Sequence, residues 1–277
     1  MVRMWRALGT VALAITLASP GAAQTRADCE RAYTPQRAQE GKDVVWEPTQ
    51  DAMVVRMLEM AKVTSADLVY DLGSGDGKIP IAAAKHFGAT AVGIEYEPDL
   101  VTLSRCLAAA EGLQRRVTFE QADLFATDFS RASVVTLYLL PALNLRLRPT
   151  LLAMKPGTRV VSYSFTMGEW EPDDHIDSLG DGSAYLWLVP ANVAGTWTFR
   201  STSDSAAFDV AFEQVFQNLT GRAGGAAVTG KLQGERIEFA FAADGHEVRV
   251  TGTVQSQRIS ATAVRAGVST QYVGTRN

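Results

Sequence analysis

The segment Asp71-Leu72-Gly73-Ser74-Gly75-Asp76-Gly77-Lys78 places one acid and three alternating glycines between an apolar, strand-like run and the start of a helical one. Glycines at a strand-to-helix turn let the backbone bend sharply and approach a ligand closely. Two familiar phosphate readings fail on spacing. In a GxGxxG dinucleotide fingerprint the third glycine would fall at Lys78. In a GxxxxGK[ST] phosphate loop the first glycine would stand at Leu72 and the hydroxyl residue at Ile79. The loop therefore suits a ligand without a phosphate to neutralise. Asp71, at the end of its strand, can face a cationic amine. Glu95 ends the next strand-like run, 24 residues later, where a carboxylate can accept both hydroxyls of a ribose. Asp123, in Gln121-Ala122-Asp123-Leu124, follows the third run and can accept from an adenine amino group. These acids form a row along the carboxyl edge of the sheet, where open α/β sheets bind ligands.

DxGxGxG is the pattern that S-adenosylmethionine sites of the Rossmann-like class use, and that ligand offers an ammonium, ribose hydroxyls and an adenine amino group to the three acids and no phosphate to the loop. Asp71, Gly73, Gly75, Gly77, Glu95 and Asp123 are the cofactor-binding candidates. Tyr96, Glu97 and Asp99 read as helix-start residues. Tyr138, Asn144 and Tyr163 are the residues that could approach a transferred methyl group. No general base stands out: His86 lies on a helix, His175 in an acidic loop and His246 in a hairpin. Three histidines and two cysteines argue against a metal site.

The elements that must position these groups follow from periodicity. Met53, Val54, Met57, Leu58 and Ala61 recur at helical spacing, and Thr49 can cap that helix. Strands are expected at 68–70, 91–95, 117–119, 134–140 and 159–165, with helices at 78–87, 98–111 and 143–154 between them. Pro98 opens the second of these helices and Gly112 lies just past its end. Alternation of this kind predicts an α/β fold, a Rossmann-like, mainly parallel sheet with helices on both faces. Residues 171–183 read as an acidic, Gly-rich loop, and 185–189 as one more strand. From 193 onward the period is two. Residues 228–237 and 250–259 repeat, with six of ten positions identical. Two similar hairpins in tandem predict a small antiparallel β meander of about six strands, a barrel or half-barrel.

With these motifs in view, the sequence resembles class I methyltransferases. It is most similar to the small bacterial and mitochondrial protein-lysine methyltransferases, including those acting on the ATP synthase c-subunit and on the adenine nucleotide translocase. The matching stretches are Pro48-Thr49, Asp71 to Ala83, Gly93-Ile94-Glu95, Ala122-Asp123-Leu124 and Lys155-Pro156-Gly157. The resemblance implies that Thr49 also lines the cofactor pocket and that the acceptor is a protein lysine or a small amine. Where amino-methylating relatives carry Asn-Pro-Pro-Tyr or Asp-Pro-Pro-Tyr, this chain has Tyr138-Leu139-Leu140-Pro141, which argues against adenine in DNA as acceptor.

Composition narrows the partners. The 277 residues carry 26 Lys+Arg against 30 Asp+Glu, a formal net charge of -4, so no basic field favours nucleic acid. Arg3 and Arg6, an apolar run from Ala7 to Ala18 and small residues ending at Ala23 read as a secretory signal over 1–23. Export to a periplasm is expected, with membrane contact only if the signal stays uncleaved. Residues 24–45 read as a polar leader, 46–190 as the methyltransferase domain and 193–277 as the β-rich domain. Cys29, in the leader, and Cys106, on a helix, are expected as free thiols. Because S-adenosylmethionine is made in the cytoplasm, export also raises an alternative. In it the chain is a non-catalytic binding protein with a nucleoside pocket and a β-rich tail that contacts a partner.

Overall fold

The computed structural model describes residues 24–178 and 182–277; the expected signal segment 1–23 lies outside the described residues. Five strands form the parallel part of a seven-stranded sheet: β1 (Leu68–Leu72), β2 (Thr90–Glu95), β3 (Val117–Gln121), β4 (Val134–Leu137) and β5 (Arg159–Tyr163). The antiparallel strands β6 (Asp174–Ser178) and β7 (Gly182–Leu188) complete it in the order β3-β2-β1-β4-β5-β7-β6. The order reverses between β2-β3 and β4-β5, a switch point at the carboxyl end of β1. Neighbouring residues face opposite layers. Val69, Val134 and Val161 pack under α2 (Asp51–Met60), α3 (Lys78–Phe87) and α4 (Pro98–Ala110). Tyr70, Val135 and Val160 pack with α5 (Pro141–Leu152) on the other face. The apolar runs of the parallel strands are thus buried on both sides.

Five local expectations are corrected. The fourth strand ends at Leu137 rather than residue 140, because Pro141 opens α5 and Leu140 must stay extended before it. Thr49 does not cap α2; the cap residue is Gln50, without a side-chain cap bond. The acidic segment 171–183 is not all loop, since 174–178 form edge strand β6. The polar leader is ordered: α1 (Arg26–Ala32) packs on α4, and residues 39–49 cross the carboxyl edge of the sheet. The two cysteines are paired rather than free. Cys29 on α1 is bonded to Cys106 on α4, with Cα atoms 5.7 Å apart.

The tail is a closed eight-stranded barrel. Its strands are β8 (Gly195–Ser201), β9 (Ala207–Val215), β10 (Asn218–Ala223), β11 (Ala226–Gln233), β12 (Arg236–Ala243), β13 (His246–Gln255), β14 (Arg258–Arg265) and β15 (Val268–Arg276). Closure comes from β8, which pairs with both β9 and β15. The interior is filled by Trp197, Phe199, Phe212 and Phe239 rather than left hollow. The sequence repeat is the β11–β12 hairpin followed by β13–β14. Gly230 and Gly252 sit at equivalent points, where a Cβ would collide with the backbone oxygens of Glu238 and Ser260. Phe216 stacks on Trp170, and Gln217 Nε2 donates to Glu171 O at 2.8 Å, joining one end of the barrel to the sheet domain.

Candidate active site

A cleft of about 960 Å³, counting its open mouth, runs along the carboxyl edge of the sheet. Its floor is the loop after β1. Gly73 and Gly75 have positive φ, 79° and 54°, and both line the cleft. A Cβ on Gly75 would lie 2.7 Å from Trp46 Nε1, so glycine there preserves a close approach between loop and leader. Gly77 differs: it is absent from the cleft wall, and a Cβ on it would meet Phe119 Cζ at 2.6 Å and Ser104 Cβ at 2.8 Å. The third glycine therefore packs α3 on the sheet and does not face the cleft.

The acids fall in the order of the strands. Asp71 is 3% exposed, and its Oδ1 accepts from Thr136 Oγ1 at 2.7 Å, across the β1–β4 register. Burial pushes its carboxyl up to about 7, only partly offset by Thr136, and the neighbouring Glu95 and Asp76 add to the rise. Glu95 is held by three backbone N–H groups. Gly75 N donates to Oε2 at 2.8 Å, while Tyr96 N and Glu97 N donate to Oε1 at 2.8 and 2.9 Å. Burial raises its pKa against these bonds. Asp123 lies at the outer end. Its Oδ2 accepts from Lys42 Nζ, and its Oδ1 from Phe125 N at 2.9 Å. The Lys42 hydrogen bond holds its carboxyl below the usual range.

Thr49, Tyr138 and Leu139 line the cleft with these acids. Tyr138 and Thr49 share the cleft wall with Gly73 and Gly75. Asn144 does not: it is fully buried, and its Nδ2 donates to Ser162 Oγ at 3.2 Å and Thr166 O at 3.3 Å. It fastens α5 to the segment after β5 and cannot approach a transferred group. Tyr163 is buried behind Tyr138, with ring centroids 4.6 Å apart, and is no part of the cleft wall. Tyr96 and Glu97, expected only as helix-start residues, line the cleft as well.

Sequence reasoning missed the contribution of residues 39–47, the end of the leader and the start of the domain. Lys42, Trp46 and Glu47 line the cleft from a strap closed by two backbone bonds, Ala38 N to Trp46 O and Trp46 N to Gln39 O, both 2.9 Å. The run has no period, so its only signal was Trp46, an isolated large aromatic in a polar stretch. Among the described residues no cluster of His, Cys, Asp and Glu able to hold a metal ion occurs.

The cleft fits S-adenosylmethionine by three features. A buried carboxylate at Asp71 lacks a cation, and an ammonium group would neutralise it. Ser74 Oγ is buried on the cleft wall with no hydrogen-bond partner. Gly73 and Gly75 keep the loop on the cleft floor free of side chains where Leu139 and Trp46 close on it. The cations on the cleft wall, Lys42 and Lys78, are paired with Asp123 and Asp51, so Asp71 and Glu95 are left without one, which agrees with a cationic ligand.

Comparison with known proteins agrees. Residues 71–174 match the family model described as the ANTKMT methyltransferase domain. A protein-lysine N-methyltransferase of Saccharolobus islandicus is 40% identical over 151 residues, covering 53% of this chain and 94% of the relative. The human ATP synthase C-subunit lysine N-methyltransferase is 36% identical over 154 residues, covering 55% of this chain and 62% of the relative. The crystal structure of an RNA methyltransferase from Salinibacter ruber, in complex with S-adenosyl-L-homocysteine, is 46% identical with a TM-score of 0.51. It is matched over 58% of this chain and 99% of that one.

Proposed function

The chain belongs to the protein-lysine N-methyltransferase family, and on that premise we propose that it transfers the methyl group of S-adenosylmethionine to the ε-amino group of a lysine in a protein. The non-catalytic alternative is not favoured, because the chain matches enzymes over nearly the whole length of one of them. The observation that carries the reading is the order of side chains along one edge. Asp123, Glu95, Asp71 and Tyr138 stand at the carboxyl ends of β3, β2, β1 and β4, which are adjacent in that order, and all four line one cleft.

In this reading the cofactor supplies an electrophilic methyl group on a sulfonium sulfur. Asp71 holds the ammonium of its methionine part, Glu95 its ribose hydroxyls and Asp123 its adenine amino group. Thr49 and the backbone of Gly73 and Gly75 line its path. Glu95 does a second task, since its bonds to Gly75, Tyr96 and Glu97 preset the shape of the loop. The chain's other contribution is alignment and exclusion of water. A lysine must lose a proton before it can attack, at a cost of roughly 4 kcal/mol near pH 7.4. Leu139, Leu143 and the Tyr138 ring give the β4 end an apolar wall that disfavours the charged amine.

A protein acceptor is supported by the named activity of the relatives and by the net charge of -4, which gives no field for nucleic acid. Export is part of the proposal. The pattern of residues 1–23 supports it, and a Cys29–Cys106 bridge suits an oxidising compartment. N-terminal sequencing of the protein from an envelope fraction, beginning at Gln24, would bear this out. The deciding experiment incubates the purified protein with S-adenosylmethionine and a lysine-rich protein extract. Mass spectrometry should place added methyl groups on lysine. Methyl groups found on RNA instead would overturn the acceptor.

A further inference from the structure

The carboxyl edge has an end that the cofactor candidates leave free. The row Asp123, Glu95, Asp71 ends at β1, so the reacting end of the cleft lies over β4. Tyr138 stands there, set edge-on against Tyr163 and stacked on Phe165 with centroids 6.4 Å apart. Glu47 lines the same cleft, is paired with Arg37, and both charges act on Tyr138.

We propose that Glu47 is the receiving group for the acceptor's cationic side chain, the carboxylate at which an incoming lysine ammonium takes the place of the Arg37 guanidinium. The inference rests on the amine-acceptor reading and names the residue that recognises the amine.

Three observations carry it. The Arg37 side chain is 76% exposed while that of Glu47 is 30% exposed, so the cation is at the surface and the acid lies deeper. An exposed ion pair contributes little, and exchanging one cation for another there is easy. The pair is also not needed to hold the strap, because the backbone bonds between Ala38, Gln39 and Trp46 already close it. Glu47 is thus a carboxylate kept at the reacting end of the cleft by a partner that can leave. The Tyr138 ring, on the wall of the same cleft, offers an aromatic surface of the kind along which a lysine stem and ammonium pack.

The test loads the full protein with S-adenosylhomocysteine and titrates it by calorimetry with Nα-acetyl-lysine methylamide and with its neutral norleucine counterpart. The wild type should prefer the lysine compound by tenfold or more. Glu47→Gln should lose that preference, with S-adenosylhomocysteine affinity within twofold of wild type. Glu47→Asp should restore part of it, and Arg37→Ala should tighten lysine binding. In turnover, Glu47→Gln should raise the KM for a lysine peptide at least tenfold and leave kcat within about threefold. An unchanged preference in Glu47→Gln, or none in the wild type, overturns the assignment. If amines are methylated but the preference does not depend on Glu47, this subsite alone fails. If the lysine compound binds through Glu47 but methyl groups are found only on other chemistry, the subsite stands and the amine-acceptor reading fails.

Discussion

Lys42 Nζ lies 2.5 Å from Asp123 Oδ2, joining two residues 81 positions apart across the outer end of the cleft. Lys42 also sits over the Tyr96 ring, 5.0 Å from its centroid. The strap is therefore latched at the candidate adenine end, where breaking the pair should ease the exit of a ligand. A solvent-accessible ion pair of this kind contributes little on its own. Lys42→Ala should speed S-adenosylhomocysteine dissociation roughly two- to fivefold. The difference from wild type should shrink in 1 M salt, where such pairs are screened. Stopped-flow recording of tryptophan fluorescence measures this, and equal rates at low salt would remove the latch.

Glu95 is asked to hold a loop as well as a ligand. Gln at this position keeps the shape but replaces one accepting oxygen with a donor, so at least one of the three amide bonds fails. A hydrogen bond to a charged group contributes about 1.5–3 kcal/mol. Glu95→Gln should weaken cofactor binding about tenfold or more, and Glu95→Ala about a hundredfold or more. Affinities within a factor of three of wild type would mean that Glu95 serves the loop alone.

Asp71 links binding to pH. Its carboxyl titrates at about 7 in the ligand-free protein, because burial disfavours the charge. Only the carboxylate can pair with an ammonium, so cofactor affinity should rise about tenfold between pH 6 and pH 8. Stability runs the other way. With its folded pKa above the unfolded 3.8, Asp71 binds more protons folded than unfolded, and stability falls as pH rises from about 4 to about 7. Above that window the cost is complete, a few kcal/mol. Asp71→Asn removes it: the ligand-free variant should melt higher than wild type at pH 8 and bind cofactor poorly. A variant that melts lower would show that the buried charge is already compensated.

The glycine loop and the three acids were legible because each sits at a strand end, and strand ends are marked by the switch from apolar runs to Gly and Asp. Residues 24–47 were not. Their structure comes from contacts far away in sequence, Lys42 with Asp123 and Cys29 with Cys106, and such contacts leave no local period. Gly77 shows a second limit. A glycine that lets backbone approach a ligand and one that lets a helix approach a sheet are the same letter, and only the clash with Phe119 separates them. Asn144 shows a third, since a polar residue near the acceptor end can be spent on an internal bond. Strand β6 was read as loop because Asp174, His175 and Asp177 give it the polar pattern that edge strands tolerate.

The Cys29–Cys106 bridge closes a span of 77 residues that contains the strap, the glycine loop and Glu95. On chain-entropy grounds a loop of that length contributes up to about 4 kcal/mol, by restricting the unfolded chain. Reduction should therefore lower the melting temperature, by roughly 8–16 °C at most. It should also free α1, whose buried side chain is Cys29, to detach from α4. The strap keeps its own bonds, Lys42 to Asp123 and Ala38 to Trp46, so cofactor affinity at 25 °C should change less than threefold while stability drops. Cys29→Ser/Cys106→Ser measured beside the reduced wild type separates the bond from the reductant. A melting temperature unmoved by either would mean that α1 and α4 hold together without the bridge. A large loss of affinity with a small loss of stability would mean that α1 positions the strap, and the opening of the cleft would then depend on the redox state of the compartment.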